Sequence, residues 1–375
     1  MKHAFVFIEV FGCEGGIQSY IKDVLSAYIK VSTQINATAE VFLLRDTKSE
    51  NKEKGILYKS DVVSYHYFKN GQPLLERLHL IGSLMFHLII HRPDRVFCGH
   101  INLVSPVSLL CRFLRIPYTV LTYGKEVWYE LPAVEKKALR AADSIWTISR
   151  YSRDLACAAN RVAPAKFKML PCVVDGSVFT PGSTDETLVA RYQLQDARVL
   201  MTVARLWPGD IYKGVDVTIR ALPQISQVCP NVKYLVIGRG DDQPRLAQLA
   251  QELGVLDQVV FAGFVPDEAL VAHYRLADVY VMPSKEGFGI VYLEAMACGV
   301  PVIAGDDDGS ADPVQDGRLG WQVPHRDPEA VATACIEALT GEDQRCDGDW
   351  LRLQALEKFS APALVSQVKA LLQEA

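Results

Sequence analysis

Short apolar runs alternate with longer amphipathic stretches along the first half of the chain, and this alternation predicts strands and helices in turn. Strand-like runs occupy residues 4–10, 40–44, 95–99, 117–122 and 144–148. Helix-like stretches lie between them, at about 17–30, 74–90 and 103–114. Continuous apolar strands separated by helices are typical of parallel sheets that helices cover on both faces.

The same pattern starts again after a loop, rich in Gly, Ser, Thr, Asp and Pro, that runs from Pro171 to about residue 185. Strand-like runs then occupy 199–204, 232–238, 259–262, 279–282 and 300–304. Two such series predict an α/β protein of two doubly wound, Rossmann-like parallel-sheet domains that face a central cleft. Ligands are then expected at the carboxyl ends of the strands, in that cleft.

The stretch from Leu74 to Ile90 is strongly apolar and is interrupted by only four charged or imidazole side chains. Because no run of about 18 uninterrupted apolar residues occurs, no segment is predicted to span a membrane. We expect a buried helix here. The alternative is a helix whose surface touches lipid.

Composition narrows the class of protein further. A chain of 375 residues fits two domains, or three, and 49% hydrophobic with 22% charged residues is typical of a soluble globular protein. The nine cysteines are scattered without a Cys-x-x-Cys pair, which favours reduced thiols in the cytoplasm over disulfides or a zinc site. The N-terminal apolar run is too short for a secretion signal and is interpreted as a first strand.

The net charge of −5 conceals two halves of opposite sign. Residues 1–171 hold 23 Lys and Arg against 15 Asp and Glu, whereas residues 172–375 hold 16 against 29. The formal charges are therefore +8 and −13, which indicates different partners for the two halves. A drift of surface charge without functional meaning is the alternative.

Three loops that follow predicted strands could bind an anionic ligand. Gly15 and Gly16 lie before a helix, where backbone amides favour an anion, although the dinucleotide fingerprint is absent and a plain tight turn is the alternative. Arg205 follows the strand at 199–204, and Lys213 precedes the next helix. Two cations so placed could clamp a diphosphate, or could be solvated surface charges.

The third loop is the most specific. Glu286 follows the strand at 279–282 and precedes Gly-Phe-Gly, after which a helix begins near Ile290. Free amides at the start of that helix would face phosphate or hydroxyl oxygens. Glu294 lies one turn inside the helix, and a carboxylate suits a vicinal diol because it accepts two hydrogen bonds. The less favoured alternative is that Glu286 only caps the helix.

These segments together resemble the retaining glycosyltransferases of family 4, also called group 1, which have the GT-B fold. The resemblance covers nearly the whole chain and rests on the Glu-x7-Glu spacing of Glu286 and Glu294. It implies that Glu286 contacts the hydroxyls of the donor sugar and that Glu294 binds the ribose. It also implies that Arg205 and Lys213 neutralise the leaving diphosphate, in place of a metal ion.

The remaining site assignments also come from the resemblance. Donor contacts are expected from the N-terminal glycine loop, from the loops around the nucleotide base and from the amides after Glu286. These residues are Gly15, Gly16, Gly238, Phe264, Gly287, Phe288, Gly289 and Ile290. The sequence departs from the family at Tyr123, where a histidine usually lies near the reacting sugar. The Tyr123 hydroxyl could still donate one hydrogen bond to the donor sugar or the acceptor. His100, after the preceding strand, is the candidate replacement, although a structural role is equally open.

The resemblance implies an enzyme that transfers a hexose from a UDP- or GDP-sugar to a glycan or glycolipid hydroxyl, with retention and without a cofactor or metal. Residues 1–178 would hold the acceptor and 179–355 the donor, and the helix at 356–375 would cross back to the first domain. Bacterial surface polysaccharide or glycolipid synthesis at the cytoplasmic membrane face is expected, with peripheral lipid contact through the basic half. No nucleic-acid partner is expected.

Three alternatives stay open. An NAD-dependent oxidoreductase with two Rossmann-like domains is disfavoured by the missing dinucleotide fingerprint. A non-catalytic scaffold with the GT-B fold is kept open by the departure at Tyr123. The acidic run from Asp306 to Asp308 could be a metal site, although such a loop is more often simply solvated.

Overall fold

The computed structural model describes residues 1–13, 15–54 and 61–374, so Glu14 of the glycine loop lies outside the described residues. The chain divides into two compact units. The first comprises Met1–Val173 with Ala361–Ala375, and the second comprises Val174–Ser360. The sequence predicted the corresponding divisions at 178 and 355, five residues away in each case.

The described part of the first unit contains a seven-stranded parallel sheet in the order β3-β2-β1-β4-β5-β6-β7. Its strands are β1 Lys2–Phe7, β2 Thr38–Leu43, β3 Val63–Tyr67, β4 Arg95–Cys98, β5 Tyr118–Thr122, β6 Ser144–Thr147 and β7 Phe167–Met169. Its helices are α1 Gly16–Ile35, α2 Lys48–Lys54, α3 Pro73–His91, α4 Val104–Leu114, α5 Lys125–Trp128, α6 Ala133–Ala141 and α7 Arg150–Asn160.

The second unit repeats the architecture with a six-stranded parallel sheet in the order β10-β9-β8-β11-β12-β13. Its strands are β8 Arg198–Val203, β9 Val232–Ile237, β10 Val259–Gly263, β11 Val279–Met282, β12 Val302–Gly305 and β13 Trp321–Val323. Its helices are α8 Glu186–Tyr192, α9 Val215–Val228, α10 Gln243–Glu252, α11 Asp267–Tyr274, α12 Ile290–Ala297, α13 Pro328–Thr340 and α14 Gly348–Phe359.

The last helix, α15 Ala361–Gln373, belongs to the first unit and packs against α1. Its apolar stripe of Leu364, Val368 and Leu372 is buried. At its polar edge, Lys369 Nζ donates to Gln34 Oε1 at 3.0 Å. The first unit therefore consists of two separate stretches of the chain.

The prediction of a buried helix near Leu74–Ile90 is wrong in one respect. A helix does form, as α3, but the sheet buries only a narrow stripe at Glu76, Leu80, Leu84 and Leu88. Outside this stripe, Ile81 is partly buried against the core, and the other large apolar side chains of α3 are exposed. Among the described residues, α3 is the one helix long and apolar enough to cross a membrane by length and composition alone, yet it connects two strands of one parallel sheet.

Candidate active site

In both sheets, most predicted site residues lie in the loops after the carboxyl ends of the strands. In the second unit, β8 lies beside β11 although three helices and two strands separate them in sequence. Such a reversal of strand order opens a crevice for ligands at the ends of the strands. Arg205 follows β8 and Glu286 follows β11.

A tight contact between two loops positions Lys213 close to Glu286. Gly214 has φ of +79°, and a Cβ atom there would lie 2.6 Å from the carbonyl oxygen of Pro283. Only glycine allows this approach without strain. The amide of Lys285 then donates to the carbonyl of Tyr212 at 3.1 Å, which ties the turn before α9 to the end of β11.

The two charged side chains meet across this contact. Lys213 Nζ lies 2.5 Å from Glu286 Oε1, with 19% and 17% of the two side chains exposed. Within the described chain, Glu286 Oε1 is nevertheless buried without an aligned hydrogen-bond donor. The pair neutralises its charges yet keeps unused hydrogen-bonding capacity, as expected of groups that exchange partners when a ligand binds.

Asp308, after β12, holds the Glu286 loop from the other side. Its Oδ2 accepts from the amide of Glu286 at 2.6 Å, and its Oδ1 accepts from the amide of Ser310 at 2.8 Å. The amide of Gly309 donates back to the carbonyl of Glu286 at 2.8 Å. Burial raises the pKa of Asp308 to about 6. The sequence reasoning missed this anchoring role.

In the part of the chain that the structure describes, Asp307 and Asp308 of the acidic run have other partners. The carboxylate of Asp308 is used on backbone amides, and Asp307 lies 3.6 Å from Lys285 Nζ on the surface. The described residues contain no cluster of three His, Cys, Asp or Glu side chains suited to a metal ion.

The start of α12 presents free amides beside Glu286. Gly289 has φ of +86° and caps the helix without a side-chain hydrogen bond. In the described structure, the amides of Gly287, Phe288 and Gly289 have no acceptor. The Phe288 ring is buried against Phe359, so this residue contributes only its backbone.

Glu294 lies inside α12 with its carboxylate near Tyr274. The Tyr274 hydroxyl donates to Glu294 Oε2 at 2.7 Å. Burial raises the pKa of Glu294 to about 7, and the tyrosine hydrogen bond only partly offsets this. A carboxyl group that changes charge near neutrality is typical of functional sites.

These raised pKa values predict a dependence of stability on pH. Folding takes up protons on Glu294 between about pH 4.5 and 7 and on Asp308 between about pH 3.8 and 6. The free energy of unfolding should therefore fall as the pH rises through each window. Glu294→Gln is expected to flatten the upper window and Asp308→Asn the lower one, as measured by urea unfolding at a series of pH values. Identical slopes in both variants and the parent would contradict these assignments.

Arg205 is not brought into contact with Lys213 or Glu286. Its side chain is 72% exposed, and its Nη2 atom lies 2.9 Å from Oδ2 of Asp210, whose side chain is only 5% exposed. Like Glu286 Oε1, this oxygen lies buried without an aligned donor among the described residues. Asp210 was not predicted, because a single acid in a loop gives no pattern.

The predicted base loops converge at the ends of β9 and β10. The amide of Gly238 donates to the carbonyl of Gly263 at 2.8 Å, which joins the two loops. The guanidinium of Arg239 lies 4.9 Å from the centre of the Phe264 ring, and that ring is 62% exposed. An exposed aromatic ring supported by a cation is suited to stacking against a flat heterocycle.

In the first unit, Gly15 caps α1 and Gly16 begins it, without a side-chain cap. A second feature shapes this loop. The buried carboxylate of Asp46 accepts hydrogen bonds of 2.7 to 2.8 Å from the amides of Val10, Phe11 and Gly12. This contact ends β1 at Phe7 instead of the predicted residue 10, and the sequence analysis did not identify Asp46.

His100 and Tyr123 lie after neighbouring strands, β4 and β5, but differ in their contacts. The Tyr123 hydroxyl is buried and donates to the carbonyl of Gly99 at 2.5 Å. Its one proton is therefore already used, which opposes the interpretation that it reaches a sugar. His100 Nδ1 accepts from the amide of Asn102 at 3.1 Å, which leaves the proton on Nε2. Burial lowers the pKa of His100, so the ring is neutral at pH 7.

Tyr123→Phe is expected to lower the free energy of unfolding by about 1–3 kcal/mol, because the buried Gly99 carbonyl loses its donor. The transfer rate should change less than in His100→Ala. Tyr20→Phe is a matched control, since the Tyr20 hydroxyl also donates to a buried carbonyl, that of Leu170, at 2.8 Å. Comparing unfolding curves and kcat for the three variants is the test. A Tyr123→Phe enzyme of unchanged stability but strongly reduced kcat would show that this hydroxyl takes part in the reaction.

The chain is similar in sequence and in fold to known proteins. The family model for group 1 glycosyl transferases matches residues 197–341, the segment that contains Arg205, Lys213 and both glutamates. The chain belongs to the group 1 glycosyltransferases, enzymes that use a nucleotide-sugar donor, and it has the GT-B fold.

Two relatives and one solved structure are similar to the chain over most of its length. The chain is 38% identical over 342 residues to a GDP-mannose-dependent alpha-(1-6)-phosphatidylinositol monomannoside mannosyltransferase from Mycolicibacterium smegmatis, covering 87% of this chain and 86% of that protein. It is 28% identical to a GDP-mannose-dependent monoacylated alpha-(1-6)-phosphatidylinositol monomannoside mannosyltransferase from Corynebacterium glutamicum. This similarity covers 87% of this chain and 85% of that protein. The crystal structure of Anabaena HepE in complex with UDP superposes with a TM-score of 0.80, 19% identity and full coverage of both chains.

Proposed function

We propose that this enzyme transfers mannose from GDP-mannose to a hydroxyl group of a glycolipid, with retention of the anomeric configuration. The observation that carries the proposal is the Glu286 loop, which lies between Lys213 and Asp308 and before the free amides of α12. The choice of mannose and guanosine rests on the relatives whose names specify GDP-mannose and phosphatidylinositol mannosides.

The second unit would bind the donor. Glu286 accepts hydrogen bonds from the sugar hydroxyls, and the amides from Gly287 to Ile290 contact the sugar and the adjacent phosphate. Glu294 binds the ribose diol in its ionised form. Because its pKa is about 7, nucleoside affinity should increase as the pH rises through neutrality.

The leaving group would be stabilised by fixed charge. As the bond between the anomeric carbon and the phosphate oxygen breaks, negative charge grows on the diphosphate. Arg205, Lys213 and the amino end of α12 provide the compensating positive field, which is the role a metal ion would otherwise have. The acceptor oxygen bonds to the same face of the carbon, and its proton passes to the departing phosphate oxygen. No carboxylate nucleophile is required.

The nucleotide base would stack on Phe264, which Arg239 supports from its other face. Gly238 allows the backbone to approach the nucleotide in the same region. A Cβ atom at this position would lie 1.8 Å from the carbonyl oxygen of Ala204, so no larger residue fits.

The first unit would contribute the acceptor site, with the Gly15–Gly16 turn and the neutral His100 ring at the ends of β1 and β4. His100 Nε2 can donate one hydrogen bond to a hydroxyl. The enzyme would act at the cytoplasmic face of the membrane, where a glycolipid acceptor lies, as a peripheral protein.

The test uses the purified chain with GDP-[14C]mannose or UDP-[14C]glucose and a phosphatidylinositol mannoside, with label in the organic phase as the readout. We expect mannose transfer, a product that α-mannosidase cleaves, and an unchanged rate in excess EDTA. A rate that collapses in chelator and returns with Mg²⁺ or Mn²⁺ would overturn the cation clamp. An inverted product would overturn the retaining mechanism.

A thermal-shift comparison of GDP, UDP and ADP identifies the base independently of the acceptor. A ligand at 100 times its dissociation constant raises the free energy of unfolding by about 2.7 kcal/mol. The NAD-dependent alternative is wrong, because the chain belongs to a glycosyltransferase family. The non-catalytic alternative would be supported by GDP binding without transfer or hydrolysis of any donor.

A further inference from the structure

The outward side of α3 carries many large apolar side chains, with Arg77, His79 and Ser83 between them. Burial recurs only at Glu76 and at every fourth residue after it, so one narrow stripe contacts the sheet. Among the remaining positions, seven expose large hydrophobic side chains, including Leu74 at 70% and Phe86 at 65%. An ordinary surface helix has mainly polar residues opposite its buried stripe, whereas α3 exposes large hydrophobic side chains there as well.

The neighbouring helix α4 extends the same surface. Arg92, just after α3, donates to the carbonyl of Leu114 at 3.2 Å, so the C-terminal ends of the two helices lie together. Leu109 and Phe113, one turn apart on α4, are 72% and 83% exposed. We define the α3–α4 face as the exposed apolar residues Leu74, Leu75, Leu78, Met85, Phe86, Ile89, Ile90, Leu109 and Phe113.

The segment that carries this face is basic. From residue 77 to residue 125 the sequence contains one acidic residue, Asp94, whose Oδ2 accepts from the amide of Lys2 at 2.7 Å. Exposed arginines lie at the two ends of α3 and near the end of α4, at positions 77, 92, 112 and 115. An apolar strip bordered by arginines is complementary to a bilayer with anionic headgroups.

The charge of the α3–α4 face favours a membrane over a second copy of the chain as its partner. In a twofold-symmetric dimer the same patch lies on both partners. The excess of arginines on one copy would then meet the same excess on the other. An anionic bilayer provides apolar contact and the opposite charge together.

We propose that the α3–α4 face docks this enzyme on an anionic phospholipid bilayer, with the apolar side chains in the acyl boundary and the arginines at the headgroups. This inference rests on the proposed function only in that a lipid-borne acceptor explains why docking is useful. Because α3 lies flat on its sheet, the contact is interfacial and does not span the bilayer.

Co-sedimentation with vesicles tests the proposal. The purified chain is mixed with vesicles of phosphatidylcholine, alone or with phosphatidylglycerol, and the partition coefficient is measured. We expect stronger binding to the anionic vesicles and at least a tenfold loss in Leu78→Glu/Phe86→Glu. The matched control is Leu353→Glu/Val228→Glu, at exposed helix positions of the second unit, which should bind as the parent does. Arg112→Gln/Arg115→Gln should lose the preference for the anionic vesicles.

Three results would overturn the docking proposal. One is a parent protein that binds neither vesicle, and another is an unaffected Leu78→Glu/Phe86→Glu variant. The third is a parent dimer, seen by sedimentation equilibrium without lipid, that this variant converts to monomers. Stabilisation by GDP is measured on every variant and shows that each remains folded. Vesicle binding without GDP stabilisation or transfer would instead refute the proposed function and leave the docking face intact.

Discussion

Glu286→Ala is expected to lower kcat about 100- to 1,000-fold, the usual loss when one preorganised contact to a transition state is removed. The carboxylate is held in place by a loop that is fixed on both sides, through Lys213 and through Asp308. Among the described residues, its Oε1 atom is buried without an aligned hydrogen-bond donor. Steady-state kinetics with GDP-mannose measure the loss.

Two controls separate catalysis from folding. Asp307→Ala removes an acid from the adjacent loop that is 76% exposed, and it should retain the parental rate. The thermal midpoint of Glu286→Ala shows whether the unpaired Lys213 disturbs the fold. Full activity of Glu286→Ala would remove this residue from the site, and a collapse in Asp307→Ala would favour the acidic run as a metal ligand set.

Lys213→Ala and Arg205→Ala should each weaken GDP binding about tenfold or more while changing guanosine binding less than twofold. Charge-assisted hydrogen bonds contribute about 1.5–3 kcal/mol each, and only the diphosphate can receive them. Both cations are paired with acids in the structure, so the ligand must displace Glu286 or Asp210. Calorimetry with the two ligands gives both affinities.

Arg220→Ala is the matched control, because Arg220 is exposed on α9. Its GDP affinity should be that of the parent. Equal losses for GDP and guanosine in the Lys213 or Arg205 variants would show that these side chains shape the nucleoside site instead of binding the diphosphate.

The sequence predicted most of the buried strands, because continuous apolar runs mark the interior of a parallel sheet. It did not predict β3, β7 and β13. The burial of β3 alternates along its five residues, and β7 and β13 have only three residues each, so none forms a long apolar run. The predicted family and fold are confirmed by the comparisons.

Contacts between residues that are distant in the chain could not be predicted from the sequence. The pairing of Lys213 with Glu286 depends on how closely two loops pack at Gly214, which no local pattern encodes. Asp308 was considered only as a metal ligand, because its amide partners become visible only when β12 lies beside β11. The exposed side of α3 was misjudged because hydrophobicity alone does not say which face of a helix meets the sheet.

The position of α15 in the first unit has a consequence for biosynthesis. A ribosome must complete all of residues 174–360 before it makes the helix that covers α1. The second unit is thus an insertion within the first in terms of chain order, and it can fold while the first still lacks one helix. Until then, the surface of α1 that later contacts Leu364, Val368 and Leu372 stays open to solvent or to a chaperone.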